Sequence, residues 1–98
     1  MKNKKAANKE QAKQAVVCWT DIAWEDYLHW QKHDADIVAK INLLVDECVK
    51  TLFTGTGKPE PLRGDLTGYW SRRINREHRL VYLPQDGGIY VVGCRYHC

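Results

Sequence analysis

Between Leu52 and Leu62 the chain reads Phe-Thr-Gly-Thr-Gly-Lys-Pro-Glu-Pro. Gly55, Gly57, Pro59 and Pro61 stop any helix here, because proline removes a backbone donor and glycine weakens helical order. The chain is thereby divided into two parts of different period. On the N-terminal side Ile37, Ile41, Leu44, Val45, Cys48 and Leu52 recur at helical spacing, with Lys40, Asn42, Asp46 and Glu47 off the stripe. On the C-terminal side Tyr69–Ile74, Arg79–Leu83 and Ile89–Tyr96 are rich in β-branched and aromatic residues. Asn75-Arg76-Glu77 and Asp86-Gly87-Gly88 separate them as turns, so neighbouring strands are expected to be antiparallel.

The earlier segment also has a pattern. Val16 to Trp19 suit a short strand, and Thr20 or Asp21 can cap a helix carrying Trp24, Tyr27, Leu28 and Trp30. Asp34 is placed to cap a second helix. The element order β-α-α-loop-β-β-β predicts an α+β fold, a two-helix hairpin packed on one face of an antiparallel sheet. The irregular loop is expected to end near Gly64-Asp65. Residues 1–14 lack apolar periodicity and read as a basic, flexible extension, leaving 15–98 as the folded domain.

At 98 residues there is material for one modest core, and an apolar fraction of 44% argues against global disorder. No apolar run is long enough for a membrane helix, and the Lys-rich start lacks the apolar stretch of a secretory signal. A cytoplasmic protein without a membrane partner is the expectation. Charge is unevenly distributed: net +4 over residues 1–14, −4 over 15–57 and +3 over 58–98. The basic C-terminal part is the one suited to a polyanion.

Cys18, Cys48, Cys94 and Cys98 have no paired CxxC spacing and are expected to be reduced thiols. If the tail is extended, Cys94 and Cys98 face one side and His97 the other, which disfavours a metal site.

Four groups in the basic part could carry chemistry: Glu60 between two prolines, Arg73, Arg79 and His97. Cleaving a phosphodiester through a ribose hydroxyl requires a base, cations for the added phosphoryl charge and an acid for the leaving oxygen. Glutamate, arginine and histidine suit these roles, and the prolines restrict where the Glu60 carboxylate points. Simpler readings exist for each. Glu60 can be a solvated loop carboxylate, Arg72, Arg73, Arg76 and Arg79 an exposed hairpin face, and His97 a frayed surface residue. On pattern alone catalysis, general polyanion binding and a protein-interaction domain all stay open.

From Val16 to His97 the chain resembles the YoeB/Txe toxins of the RelE superfamily. The matching stretches are Trp19, Trp24-Glu-Asp-Tyr-Leu-His-Trp-Gln31, Gly55-Thr-Gly-Lys-Pro-Glu-Pro-Leu62, Gly68-Tyr-Trp-Ser-Arg-Arg-Ile74, Glu77-His-Arg-Leu-Val-Tyr82 and Cys94-Arg-Tyr-His97. The resemblance implies a microbial RNase-like fold and the toxin of a type II toxin–antitoxin system. Its implied activity is endoribonucleolytic cleavage of mRNA in the ribosomal A site by attack of the 2′-hydroxyl, with neither metal nor cofactor. The implied partners are a YefM/Axe-like antitoxin and the ribosome with its mRNA, while the sequence leaves open whether the free toxin forms a homodimer.

Position by position, Glu60 matches the general base, Arg79 the arginine that stabilises the transition state and His97 the general acid. Lys58 and Arg73 match basic positions near RNA. Arg63 stands where the family commonly has a phosphate-contacting lysine, so charge is kept while hydrogen-bond geometry changes. Cys98 replaces a terminal tyrosine that participates in the site, and a thiol offers no large π face for a base. The alternative is a weak or inactive member that binds RNA or antitoxin in a repressor complex.

Overall fold

The computed structural model describes residues 16–96. The extension expected over 1–14, and the candidate site residues His97 and Cys98, lie outside the described residues.

The chain begins with β1 (Val16–Trp19), then α1 (Asp21–His33) and α2 (Ala35–Lys50). Both expected caps are present. Thr20 Oγ1 accepts a hydrogen bond from Ala23 N at 3.1 Å, and Asp34 Oδ1 accepts from Asp36 N at 3.1 Å and Ile37 N at 3.3 Å. Asp34 also ends α1, its own N–H reaching Trp30 O. One residue therefore stops the first helix and starts the second, which sets the hairpin's sharp turn.

After the Gly/Pro-rich segment come β2 (Glu60–Pro61), a 3₁₀ turn (Gly64–Leu66), β3 (Trp70–Arg73), β4 (Arg79–Gln85) and β5 (Gly88–Gly93). The sheet order is β1-β5-β4-β3-β2. Strands β2 to β5 are antiparallel to their neighbours, as expected, whereas β1 pairs with β5 in parallel and makes the sheet mixed. Parallel pairing is permitted because the long connection from β1 to β5, which includes the helical hairpin, supplies the crossover that parallel strands need. Close approach of β1 requires Gly88: a Cβ there would lie 1.8 Å from Val16 O.

The segment from Gly55 to Asp65 is less irregular than its composition suggests. Glu60 pairs with Ser71 and Pro61 with Trp70, and Leu62 N continues the ladder to Tyr69 O at 2.9 Å. Proline is tolerated because β2 is an edge strand, where its missing donor interrupts no ladder. The strand expected to run from Ile89 to Tyr96 instead ends at Gly93. A register shift lets Tyr82 face Val91 while Val81 faces Gly93. Val92 is therefore the extra residue of a bulge, and the inward series runs Ile89, Val91, Cys94 rather than keeping a strict period of two.

The core lies between the helices and one sheet face. It holds Ala23, Trp30, Ile41, Leu44 and Cys48 from the helices, and Leu80, Tyr82, Ile89, Val91 and Cys94 from the sheet and the residue just beyond it. Burial pushes the Cys48 thiol up to about 11 and the Cys94 thiol, also near Asp26, up to about 12. Both are inert packing groups at neutral pH.

Arg72 departs from the expected exposed hairpin face. It is fully buried, on the helix side of β3. Its guanidinium donates to the carbonyls of Thr51, Thr54 (2.9 Å) and Thr56 (3.3 Å) and to the Tyr82 hydroxyl at 3.3 Å. Glu47 Oε1 lies 3.9 Å away. The arginine thus ties down the segment between α2 and β2.

Candidate functional site

The side chains that strand alternation turns away from the helices are Ser71 and Arg73 on β3 and Arg79 and Val81 on β4. Glu60 is the register partner of Ser71. This arrangement brings Arg79 Nη1 to 2.9 Å from Glu60 Oε1 and 3.0 Å from Ser71 Oγ. The Glu60 carboxylate is 57% exposed and the Arg79 side chain 24%. The cation is therefore held from below by a buried hydroxyl, while the carboxylate stays open to an incoming ligand.

The approach to Glu60 is also fixed. Gly57 O accepts from Arg73 N at 2.6 Å, and Gly57 has φ 86°. A Cβ at Gly57 would come within 3.0–3.1 Å of Leu44, the Arg72 Cβ and Arg73 O, so glycine is needed for both conformation and space. Lys58 follows in the left-handed region, φ 51°, with Pro59 restricting the next step.

Of the residues singled out from sequence, Glu60 and Arg79 are in direct contact. Arg73 is the register partner of Arg79 on the same face and is exposed. Lys58 is exposed two residues before Glu60. Arg63 is exposed ahead of the 3₁₀ turn, where its side chain caps nothing.

Sequence reasoning missed two residues of this neighbourhood. Ser71 carries no charge, but pairing β3 with β4 would have placed it beside Arg79. His78 precedes Arg79 and is only 7% exposed; its Nδ1 accepts a hydrogen bond from Tyr96 N at 2.6 Å. Among the described residues no group of three or more His, Cys, Asp or Glu side chains is arranged to hold a metal ion. None of the described helices is long and apolar enough to cross a membrane.

Residues 19–98 match the profile described as YoeB-like toxin of bacterial type II toxin-antitoxin system. The chain belongs to this family. It is 52% identical to Toxin YoeB of Escherichia coli K12 over 79 residues, covering 81% of this chain and 94% of that one. It is 49% identical to Toxin YoeB of Streptomyces coelicolor over 81 residues, covering 83% and 96%. Among solved structures, a YoeB/ParE toxin from Agrobacterium tumefaciens superposes with a TM-score of 0.80 at 49% identity, covering 84% of this chain and 98% of its own. A heterotetrameric YoeB-YefM complex from Staphylococcus aureus contains a chain with TM-score 0.80 at 43% identity, covering 87% and 99%. The fold extends to Escherichia coli YafQ, at 19% identity and TM-score 0.71. The protein is a YoeB-family toxin with the RelE-type α+β architecture expected from its motifs.

Proposed function

We propose that this toxin is an endoribonuclease that cuts mRNA in the ribosomal A site by attack of a ribose 2′-hydroxyl on the adjacent phosphate. The observation that carries this reading is the Glu60–Arg79 contact on a basic, helix-free face of the sheet. Glu60 takes the 2′-hydroxyl proton as the O2′–P bond forms. Arg79 turns from the carboxylate toward the phosphoryl oxygens, whose charge grows in the transition state. The P–O5′ bond then breaks, and His97 supplies the proton for the departing oxygen. The products are a 2′,3′-cyclic phosphate and a free 5′-hydroxyl, so proton and charge changes are balanced by these side chains.

Lys58, Arg63 and Arg73 supply positive charge for the RNA backbone, a contribution expected to weaken with salt. In sequence Cys98 stands where the family commonly has a terminal tyrosine, and a thiol has no aromatic face to offer a base. The relative from Staphylococcus aureus is found with YefM, and a YefM/Axe-like antitoxin is proposed here to neutralise the toxin by covering the basic half. The folded domain over 15–98 is the unit proposed to act.

The test is cleavage of mRNA on programmed ribosomes by wild type, Glu60→Gln and His97→Gln. Each substitution is expected to lower turnover about 10²–10⁴-fold while circular dichroism stays unchanged. Wild-type cleavage in either variant removes that residue from the mechanism.

A further inference from the structure

The residue next to the proposed cation has no part in the scheme so far. His78 closes the turn between β3 and β4. Its carbonyl accepts from Ile74 N at 2.9 Å and Asn75 N at 3.2 Å, while its N–H donates to Asn75 Oδ1 at 2.8 Å. The backbone is thus held independently of the ring. The ring lies edge-on to Trp30, centroids 4.7 Å apart, and tilted against Tyr96 at 5.2 Å.

Tyr96 is held on both sides of its Cα. Its N–H donates to His78 Nδ1 at 2.6 Å, and its carbonyl accepts from Arg79 N at 3.0 Å. Between these bonds Tyr96 has φ 60°, a conformation that costs a non-glycine residue energy and persists only where its surroundings impose it. Upstream, Trp30 Nε1 donates to Cys94 O at 2.9 Å and Cys94 N donates to Asp26 Oδ2 at 3.1 Å. Those contacts fix where the segment leaves β5. The His78–Arg79 pair fixes the Tyr96 backbone.

We propose that His78 is the positioning residue for the reactive end of the chain, clamping the Tyr96 amide through an unprotonated Nδ1. The ring can accept at Nδ1 only with its proton on Nε2, so the clamp selects one neutral tautomer. Arg79 completes it from the other side. One residue consequently holds the proposed base through its side chain and the tail through its main chain. This inference rests on the reading of His97 as general acid, for only then does the direction of the tail affect turnover.

Two variants separate the hydrogen bond from the packing. His78→Phe keeps an aromatic ring against Trp30 and Tyr96 without an acceptor, whereas His78→Asn keeps an oxygen where Nδ1 stood. Exchange of the Tyr96 amide hydrogen is expected to rise about tenfold in His78→Phe and to stay near wild type in His78→Asn. On programmed ribosomes kcat should fall about tenfold in His78→Phe with KM unchanged, and His78→Asn should recover most of it.

In the unmodified protein, imidazole ¹⁵N shifts should show Nδ1 unprotonated and Nε2 protonated, a reading that needs no variant to fold. A protonated Nδ1, unaltered Tyr96 exchange in a folded His78→Phe variant, or equal loss of kcat in both variants overturns the clamp. Absence of RNA cleavage by the wild type would instead remove the nuclease reading, and the clamp would be decided by the exchange and nitrogen-shift measurements.

Discussion

The two faces of the sheet use arginine in opposite ways. Arg72 and Arg73 are adjacent on β3, but alternation sends the first beneath the helices and leaves the second exposed on the other side. Arg72 has its donors occupied by three loop carbonyls and a tyrosine hydroxyl. Arg79, on the face of Arg73, is held by Ser71 and by a carboxylate still open to solvent. A cation whose partners are all internal can only hold structure. One whose partner is exposed can exchange that partner for a phosphate.

The sharpest way to break this contrast is Arg72→Leu. It leaves the Thr51, Thr54 and Thr56 carbonyls and the Tyr82 hydroxyl without their common donor, and should destabilise the fold by about 3–5 kcal/mol in urea unfolding. An unfolding midpoint equal to wild type would show that the buried cation is dispensable. The mirror experiment is Arg79→Ala, expected to lower turnover on programmed ribosomes about 10²–10³-fold while leaving the unfolding midpoint nearly unchanged. Loss of ribosome affinity with turnover preserved would move Arg79 from the reaction to the binding surface.

A smaller effect probes the joint between the faces. Thr56 donates its backbone N–H to Glu47 Oε1 at 3.1 Å, and hydrogen bonding to Thr56, followed by the Arg72 charge, holds the Glu47 carboxyl below its ordinary value of 4.5. A depressed folded-state pKa gives stability that is fully present above the ordinary range and lost as pH falls through the folded value. Glu47→Gln should therefore flatten the stability curve below about pH 4.5 and leave the curve's shape above it almost unaltered. An acid limb as steep as in wild type would assign that loss to other carboxylates.

Much of this division was legible in the sequence because it depends on period and on caps. The stripe from Ile37 to Leu52 and the caps at Thr20 and Asp34 are local signals, and each appears where local physics put it. The parallel pairing of β1 was not legible, since no residue in Val16–Trp19 encodes which distant edge it will join. Glu60 was read as a loop residue because prolines flank it; only the edge position of β2 makes those prolines compatible with pairing. Arg72 was indistinguishable by type from Arg73, and its burial depends on carbonyls from another segment. Glu60 and Arg79 were singled out through family resemblance, but their direct contact was not, since it depends on β2 pairing with β3 and β3 with β4. Ser71 and His78 went unnoticed because a hydroxyl and a turn histidine become informative only once β3, β4 and the tail are aligned.

The order of the sheet also ties the protein's competence to the timetable of its synthesis. Strand β5 follows every other element in the chain, yet it lies between β1 and β4. A nascent chain that has reached only Gln85 contains β2, β3 and β4 with Glu60 and Arg79. It still has nothing for β1 to join, no Ile89 or Val91 to complete the apolar layer over the helices, and no Tyr96 carbonyl for Arg79 N. Contacts between residues so far apart in sequence form late and slowly. A translation product cut short before Gly88 would carry Glu60 and Arg79 but lack the strand that joins β1 to β4 and completes the apolar layer.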